Sequence, residues 1–306
     1  MKKAVLLMIA VCMLFSFAAC RPAATDGADL TVAVGIVPEA AFVEKVAGDL
    51  VEVVTLVPPG NSPANYQPTT TEMRALSDAS IYFTLQMPTE EANILPKVSD
   101  FNKDIMIVNL RDAVSEVYPM RHMAAHSHDE EGEEHEEDEH EHEDGEETVD
   151  PHLWLSPKRA MVMVQTIADE LSAIDADHTE IYQQNAAHYI AELEALDSDI
   201  EEAVSALDNN AFLIYHPAYG YFADDYDLTM IAIEIAGKQA TAAELQEVIE
   251  YARRYGITTV YYQEEFDDSQ AQTVAEEIGG NAAKVAPLTP DYVQGLRDFA
   301  TALTGE

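Results

Sequence analysis

The strongest constraint on the fold is an alternation of short apolar runs with amphipathic stretches, in two separate blocks of the chain. The first block contains LTVAVGIV, VEVVTLV, SIYFTL and DIMIVNL, and the second contains AFLIY, LTMIAI, ITTVYY and AKVA. Short apolar runs separated by helical patterns are typical of buried strands in a parallel sheet covered by helices. We therefore predict an α/β protein with two lobes, each a mainly parallel sheet flanked by helices.

The region between the two blocks has helical periodicity. Apolar residues recur at helical spacing from Tyr182 to Leu207, with acidic residues on the opposite face. Ser156 suits the N-cap of a helix, and Pro157 suits its first position. One long, rigid helix would therefore link the lobes. The predicted boundaries are 29–155 for the N-terminal lobe, 156–207 for the linking helical region and 208–306 for the C-terminal lobe.

The start of the chain predicts export. Two lysines, an apolar run and small residues before Cys20 are typical of a secretory signal at 1–19. FAAC is similar to a lipoprotein signal-peptidase site, so we expect Cys20 to be lipidated, with ordinary cleavage nearby as the alternative. Residues 20–28 would then tether the protein to the outer face of the cytoplasmic membrane.

The charge of the chain limits its partners. The formal net charge is −41. Such a surface repels nucleic acid and anionic lipid headgroups, and it attracts cations. The charge therefore argues against a nucleic-acid-binding function.

One segment of the first block, 122–147, combines acidic residues with histidines. Residues 129–147 consist only of Asp, Glu, His and Gly, and 14 of these 19 residues are acidic. A segment this charged cannot be buried. Its imidazoles favour zinc over calcium or magnesium, so it is predicted to gather metal ions, with a solvated acidic linker as the alternative. The candidate auxiliary ligands are His122, His126, His128, His135, His140 and His142.

Several polar side chains follow predicted strands directly. They are Glu39, the loop GNSPANYQP, the motif DPHLW, His216 and the motif QEEFDD. Ligands of open α/β sheets bind beyond the carboxyl ends of the strands. Each residue alone reads as an ordinary polar loop residue, but imidazoles and carboxylates that converge on a crevice between lobes indicate zinc or manganese.

These motifs resemble a known family. FVEKVAGD, PANYQPT, PTEEANIL, DPHLWLSP, YHPAYGYFADDYDL and YYQEEFDDSQAQTVAEEIGG are similar to segments of the zinc- and manganese-uptake substrate-binding proteins of ABC importers, from about residue 29 to the C-terminus. The resemblance implies two α/β lobes, a rigid linking helix and a metal ion between the lobes. It also implies His152 and His216 as ligands, Asp267 as the acidic ligand with Glu265 as a close competitor, and a metal-gathering role for the His-rich loop.

The chain departs from the family at one ligand. The family has a His directly after Pro in the loop that follows the second strand, whereas this chain has Ala64 after Pro63. The expected substitutes are Glu39, Asn65, a histidine of the acidic loop, or water.

The predicted function is an extracytoplasmic zinc receptor that delivers its metal to the permease of an ABC importer, as a monomer and without enzymatic activity. A manganese receptor of the same family is the first alternative. A surface zinc buffer or adhesin would use only the His-rich loop. A zinc metalloenzyme would use three protein ligands and an open position, but the chain has no motif such as H-E-x-x-H.

Overall fold

The computed structural model describes residues 30–123 and 148–305, apart from Asp208 and Ala236. The N-terminal lobe is built on a four-stranded sheet in which every pair of neighbours is parallel, with the order β2-β1-β3-β4. Its strands are β1 (Leu30–Val34), β2 (Val51–Thr55), β3 (Ile81–Thr84) and β4 (Met106–Asn109). Its helices are α1 (Val37–Ala47), α2 (Thr70–Ala75), α3 (Val98–Phe101) and α4 (Leu110–Ser115).

A short antiparallel pair follows this lobe. Strands β5 (His122–Met123) and β6 (Thr148–Val149) pair so that Met123 lies opposite Thr148. The pairing brings Met123 next to the DPHLW motif, which begins one residue after β6.

The C-terminal lobe repeats the architecture with the strand order β10-β9-β7-β8, again parallel throughout. Its strands are β7 (Ala211–Ile214), β8 (Thr229–Ala232), β9 (Thr259–Gln263) and β10 (Asn281–Val285). Its helices are α7 (Gly220–Asp225), α8 (Ala242–Tyr255), α9 (Ser269–Ile278) and α10 (Tyr292–Thr304). The predicted α/β class with two mainly parallel sheets is therefore confirmed.

Two helices lie between the lobes. Helix α5 (Pro157–Ile174) begins where the sequence indicates, because the Ser156 hydroxyl accepts a hydrogen bond from the Arg159 N–H. Helix α6 (Thr179–Ser205) is the long linking helix, with 27 residues. Its buried positions Tyr182, Ala186, Tyr189, Leu193, Leu196, Ile200 and Val204 are those of the predicted stripe.

The linking helix contacts both lobes. The Asn185 side chain donates to the Val46 carbonyl at the end of α1, at 2.9 Å. Near its other end, Asp199 pairs with Arg297 of α10 at 2.9 Å. Helix α1 of the N-terminal lobe and helix α10 of the C-terminal lobe therefore both contact the 27-residue linking helix.

The hydrophobic core is also shared between the lobes. One contiguous cluster of buried side chains includes Val32 of the first sheet and Phe212 of the second. Phe42 of α1 packs edge-on against Tyr292 of α10, with ring centroids 4.9 Å apart. The buried Trp154 indole donates to the Pro287 carbonyl at 2.8 Å. These buried contacts, one cluster of apolar side chains and one hydrogen bond, hold the lobes in one relative orientation.

Among the described helices, none is long and apolar enough to cross a membrane. The predicted signal peptide and the whole tether, with Cys20, lie outside the described residues, and so do the loop histidines His126, His128, His135, His140 and His142. His122 is described, and it is exposed in β5.

Candidate metal centre

The two sheets point the carboxyl ends of their central strands at a common cleft. In the first sheet β1 connects to β2 on one side and β3 connects to β4 on the other side. In the second sheet β7 connects to β8 on one side and β9 connects to β10 on the other side. Ligands of open α/β sheets bind at such switch points. A cavity of about 350 Å³ lies there. Its walls include Ser62, Pro63, Ala64, Asn65, Met87, Met123, His152, Trp154, His216, Glu234, Gln263, Glu265 and Phe266.

His152 enters the cleft from the DPHLW motif. Its Nδ1 lies 2.7 Å from Asp150 Oδ1, and its backbone N–H donates to the same oxygen at 3.0 Å. Asp150 is 1% exposed, and its Oδ2 pairs with Arg121 Nε at 3.3 Å. The turn from β6 therefore fixes both the position and the orientation of the His152 ring.

His216 enters the cleft from the end of β7. Its Nδ1 lies 2.9 Å from Glu234 Oε2. The buried Gln263 side chain clamps its backbone, donating to the His216 carbonyl at 2.9 Å and accepting from its N–H at 3.4 Å. Phe266 stacks on the ring at 4.4 Å. Burial lowers the pKa of His216, which keeps the imidazole neutral and able to bind a metal ion.

The two imidazoles face each other. Their Nε2 atoms lie 3.2 Å apart. Since an ionised carboxylate can only accept hydrogen bonds, the Asp150 and Glu234 contacts place the ring protons on Nδ1. With the ring protons on Nδ1, the two facing Nε2 atoms are the nitrogens available to bind a metal ion.

The two acidic residues predicted as ligands lie in different environments. Glu265 lines the cavity, and its Oε2 is buried with no hydrogen-bond partner. Burial raises the pKa of Glu265. Asp267 is exposed, and at the start of α9 its carboxylate accepts hydrogen bonds from the Ser269 hydroxyl and from the Ser269 N–H, the latter at 2.9 Å. These two hydrogen bonds, the hydroxyl's first, lower the pKa of Asp267. The structure thus brings Glu265 to the histidines and directs Asp267 to the helix.

The candidate substitutes for the missing histidine also lie in different environments. Ala64 and Asn65 are exposed at the wall of the cavity. Glu39 is buried, is not among the cavity-lining residues, and its Oε2 accepts the N–H groups of Gly35 and Ile36 at 3.0 Å each. Burial, followed by the nearby Glu90, raises the pKa of Glu39 well above its ordinary value. Glu39 therefore serves the β1–α1 turn rather than the cleft.

In the part of the chain that the structure describes, no three His, Cys, Asp or Glu side chains form a complete metal-binding group. The arrangement is instead a pair of facing imidazoles and the half-buried Glu265 in the lining of the same cavity.

Sequence reasoning missed the two carboxylates that orient the histidines. Asp150 lies two residues before His152, so the spacing within DPH could have signalled it. Glu234 is 18 residues from His216, and it follows a neighbouring strand. Only the parallel pairing of β7 with β8 brings it to the ring.

A network around Asp150 joins the two lobes. Arg121 Nη1 also pairs with Asp224 of α7 at 2.7 Å. The Tyr221 hydroxyl accepts the Arg121 N–H and donates to the Asp150 carbonyl, both at 3.0 Å. At Gly220 an added Cβ would lie 2.7 Å from Asp150 Oδ2 and would also meet the Arg121 side chain, so any other residue would displace this pair. The orientation of His152 therefore depends on contacts from the other lobe.

Comparisons with known proteins agree with this geometry. The family model described as zinc-uptake complex component A, periplasmic, matches residues 32–305. The zinc-binding lipoprotein AdcA of Streptococcus pneumoniae serotype 4 is 33% identical over 292 residues, which are 94% of this chain and 56% of that protein. The chain therefore spans little more than half the length of that relative.

For two further relatives, the alignment covers most of this chain and most of the relative. The high-affinity zinc uptake system protein ZnuA of Bacillus subtilis is 28% identical over 90% of this chain and 85% of that protein. A crystal structure of ZnuA superposes with a TM-score of 0.79 at 29% identity, and it covers 90% of this chain and 98% of that one. The resemblance found in the motifs is confirmed, and the chain belongs to the zinc-uptake complex component A family.

Proposed function

We propose that this protein is an extracytoplasmic receptor that binds Zn²⁺ between His152 and His216 and delivers it to the permease of an ABC importer, without enzymatic activity. The observation that carries the proposal is the approach of two imidazole Nε2 atoms, one from each lobe, to 3.2 Å. The names of the relatives, which are zinc-binding and zinc-uptake proteins, support the same metal.

The distance between the rings suits tetrahedral zinc. Two Zn–N bonds of about 2.0–2.1 Å at the tetrahedral angle place the nitrogens about 3.3 Å apart. The Nε2 atoms lie 3.2 Å apart without rearrangement. The spacing of the two rings therefore matches two of the four bonds of a tetrahedral zinc site.

Glu265 is the proposed third ligand. A carboxylate buried without a hydrogen-bond partner is unfavourable, and a divalent cation beside it would remove that cost. Glu234 adds a second negative charge through the His216 ring. Water or Asn65 would complete four-coordination beside Ala64, and a histidine of the acidic loop remains the alternative that lies outside the described residues.

Substitution of single ligands tests the site. We expect His152→Ala, His216→Ala and Glu265→Gln each to weaken the one tight zinc site, measured by competition with a chelator. Asp267→Asn and the exposed His188→Ala should leave it unchanged. Tight binding that survives in both histidine variants would contradict the proposal. A tight site lost in Asp267→Asn but kept in Glu265→Gln would assign the acidic ligand to Asp267 instead.

Uptake distinguishes zinc from manganese. Zinc exceeds manganese in affinity for almost any nitrogen-containing site, so binding alone decides little. A strain that lacks this protein should fail to grow under zinc starvation and should grow normally under manganese starvation. Failure only under manganese starvation would identify a manganese receptor.

Attachment to the membrane through Cys20 completes the proposal. The lipoprotein named among the relatives supports it. Metabolic labelling with a fatty acid should mark the protein, and Cys20→Ser should abolish the label and release the protein from the membrane fraction. We also propose a monomeric receptor, which light scattering of the purified protein would check.

A further inference from the structure

Two methionines share the cavity with the two histidines. Met87 comes from the loop after β3, and Met123 comes from β5. Both line the same cavity of about 350 Å³ as His152 and His216. The described residues therefore bring two thioether side chains and two imidazoles to one small space.

The position of Met87 is fixed by the local backbone. Gln86 has a positive φ of 54°, which is uncommon for a residue other than glycine, and it lies two residues after the end of β3. The Gln86 N–H donates to the Thr84 hydroxyl at 3.0 Å, and the Met87 N–H donates to Glu90 Oε2 at 2.8 Å. Backbone strain of this kind persists where the surrounding structure imposes it, and it concentrates at binding sites.

The position of Met123 is fixed by strand pairing. Met123 lies opposite Thr148, and Thr148 is only four residues before His152. The short β5–β6 pair thus carries a thioether and an imidazole to the cleft together.

The chemistry of these side chains differs from that of the zinc ligands. Zinc sites in proteins are built from Cys, His, Asp and Glu. Thioether sulfur is a soft ligand that selects Cu(I), while imidazole suits copper as well as zinc. A cavity with two imidazoles and two thioethers has the donors that a soft monovalent cation prefers.

We propose that the same cleft also binds Cu(I), with sulfur ligation from Met87 and Met123 added to the His152 and His216 imidazoles. This proposal rests on the histidine pair of the proposed function, but it requires neither Glu265 nor transport of zinc. Met87 and Met123 would then give the cleft a second, soft-metal specificity.

The test uses the full chain without oxygen. Cu(I) affinity is measured by competition with bicinchoninate for the parent, Met87→Leu, Met123→Leu and the double variant. Leucine keeps the volume and the apolar character of the wall, so the variants should fold. Met73→Leu is the matched control, because Met73 is buried in a separate core cluster of the N-terminal lobe and does not line the cavity.

We expect the double variant to bind Cu(I) about tenfold or more weakly, while its zinc affinity changes less than about threefold. X-ray absorption at the copper edge should show sulfur and nitrogen neighbours in the parent and a loss of sulfur in the double variant. The acidic segment 124–147 contains neither Met nor Cys, so it cannot supply that sulfur.

Each outcome separates the two proposals. Cu(I) affinity unchanged in the double variant, or a copper site without methionine sulfur, would overturn the Cu(I) inference and show that the methionines only form an apolar wall. Weak zinc binding in the parent, together with sulfur-dependent Cu(I) binding, would instead overturn the zinc receptor and leave the Cu(I) site standing.

Discussion

Replacing Asp150 by Asn would test how far zinc binding depends on the orientation of the His152 ring, because the proposed ligand His152 itself stays unchanged. Asp150 is 1% exposed and contacts His152 Nδ1 at 2.7 Å. Asparagine keeps the shape but loses the negative charge. Its amide can also donate to Nδ1, which would move the ring proton to Nε2, the nitrogen that faces His216. A protonated Nε2 cannot bind zinc, so Asp150→Asn should reduce zinc affinity although no proposed ligand is changed.

The expected size follows from the contacts that are lost. Replacing the carboxylate behind a metal-binding histidine costs about 10- to 100-fold in metal affinity, which corresponds to about 1.4–2.7 kcal/mol. The same change removes the ion pair between Arg121 and residue 150, while the pair between Arg121 and Asp224, at 2.7 Å, remains. Separately from the loss of zinc affinity, we expect the free energy of unfolding to fall by about 1–3 kcal/mol, since the buried side chain at position 150 is left with weaker partners.

Asp224→Asn is the matched control. It alters the other carboxylate beside Arg121, but Asp224 is half exposed and does not contact His152. Zinc affinity should stay within about twofold of the parent, because exposed ion pairs contribute little. Chelator competition gives the affinities, urea unfolding gives the stabilities, and ¹⁵N NMR of the imidazoles reports the tautomer. Parental zinc affinity in a folded Asp150→Asn variant would refute the reasoning.

Three further substitutions, and one comparison of zinc-free with zinc-loaded protein, test other features of the structure. Ala64→His should place a third imidazole at the cavity wall and raise zinc affinity by about tenfold or more; unchanged affinity would mean that this wall is too far from the metal. Gly220→Ala should lower both the melting temperature and zinc affinity, because the new Cβ would lie 2.7 Å from Asp150 Oδ2, and parental values for both would contradict the contact. Glu39→Gln should stabilise the protein at pH 8 relative to the parent. The folded-state pKa of Glu39 is raised by burial and by Glu90, so the parent loses stability as the pH rises above the ordinary value of 4.5. The gain should vanish by about pH 4, and an equal gain at both pH values would exclude this cause. Solution scattering of zinc-free and zinc-loaded protein should give nearly the same radius of gyration, because one core spans both lobes, whereas a clear compaction on loading would refute a fixed orientation.

The fold could be predicted because its signals are local. Each strand is a short apolar run, and each run is separated from the next by helical periodicity, so the alternation specifies parallel sheets. The buried positions of the linking helix follow from the same periodicity. The sequence indicates where helix α5 begins, but not that it ends at Ile174 and is separate from the linking helix, since short breaks such as the one at Asp175 carry little signal.

The site could be predicted only in part. His152 and His216 follow recognisable motifs at strand ends, so the sequence alone indicates that they meet. The choice between Glu265 and Asp267 depends on which side of a tight turn faces the cleft. The two residues are only two positions apart, so the sequence does not show which of them faces the cleft. The role of Glu234 depends on the order of the strands, and that of Met87 on a single positive φ at the residue before it.

The shared core has a consequence for how a transport partner would detect cargo. Because Trp154, Phe42 and the linking helix hold the lobes in one orientation, the outline of the empty receptor and that of the loaded one should be nearly the same. A permease could not then recognise loading from the angle between the lobes. Information about occupancy must instead be local, carried by exposed residues at the wall of the cleft such as Ala64 and Asn65.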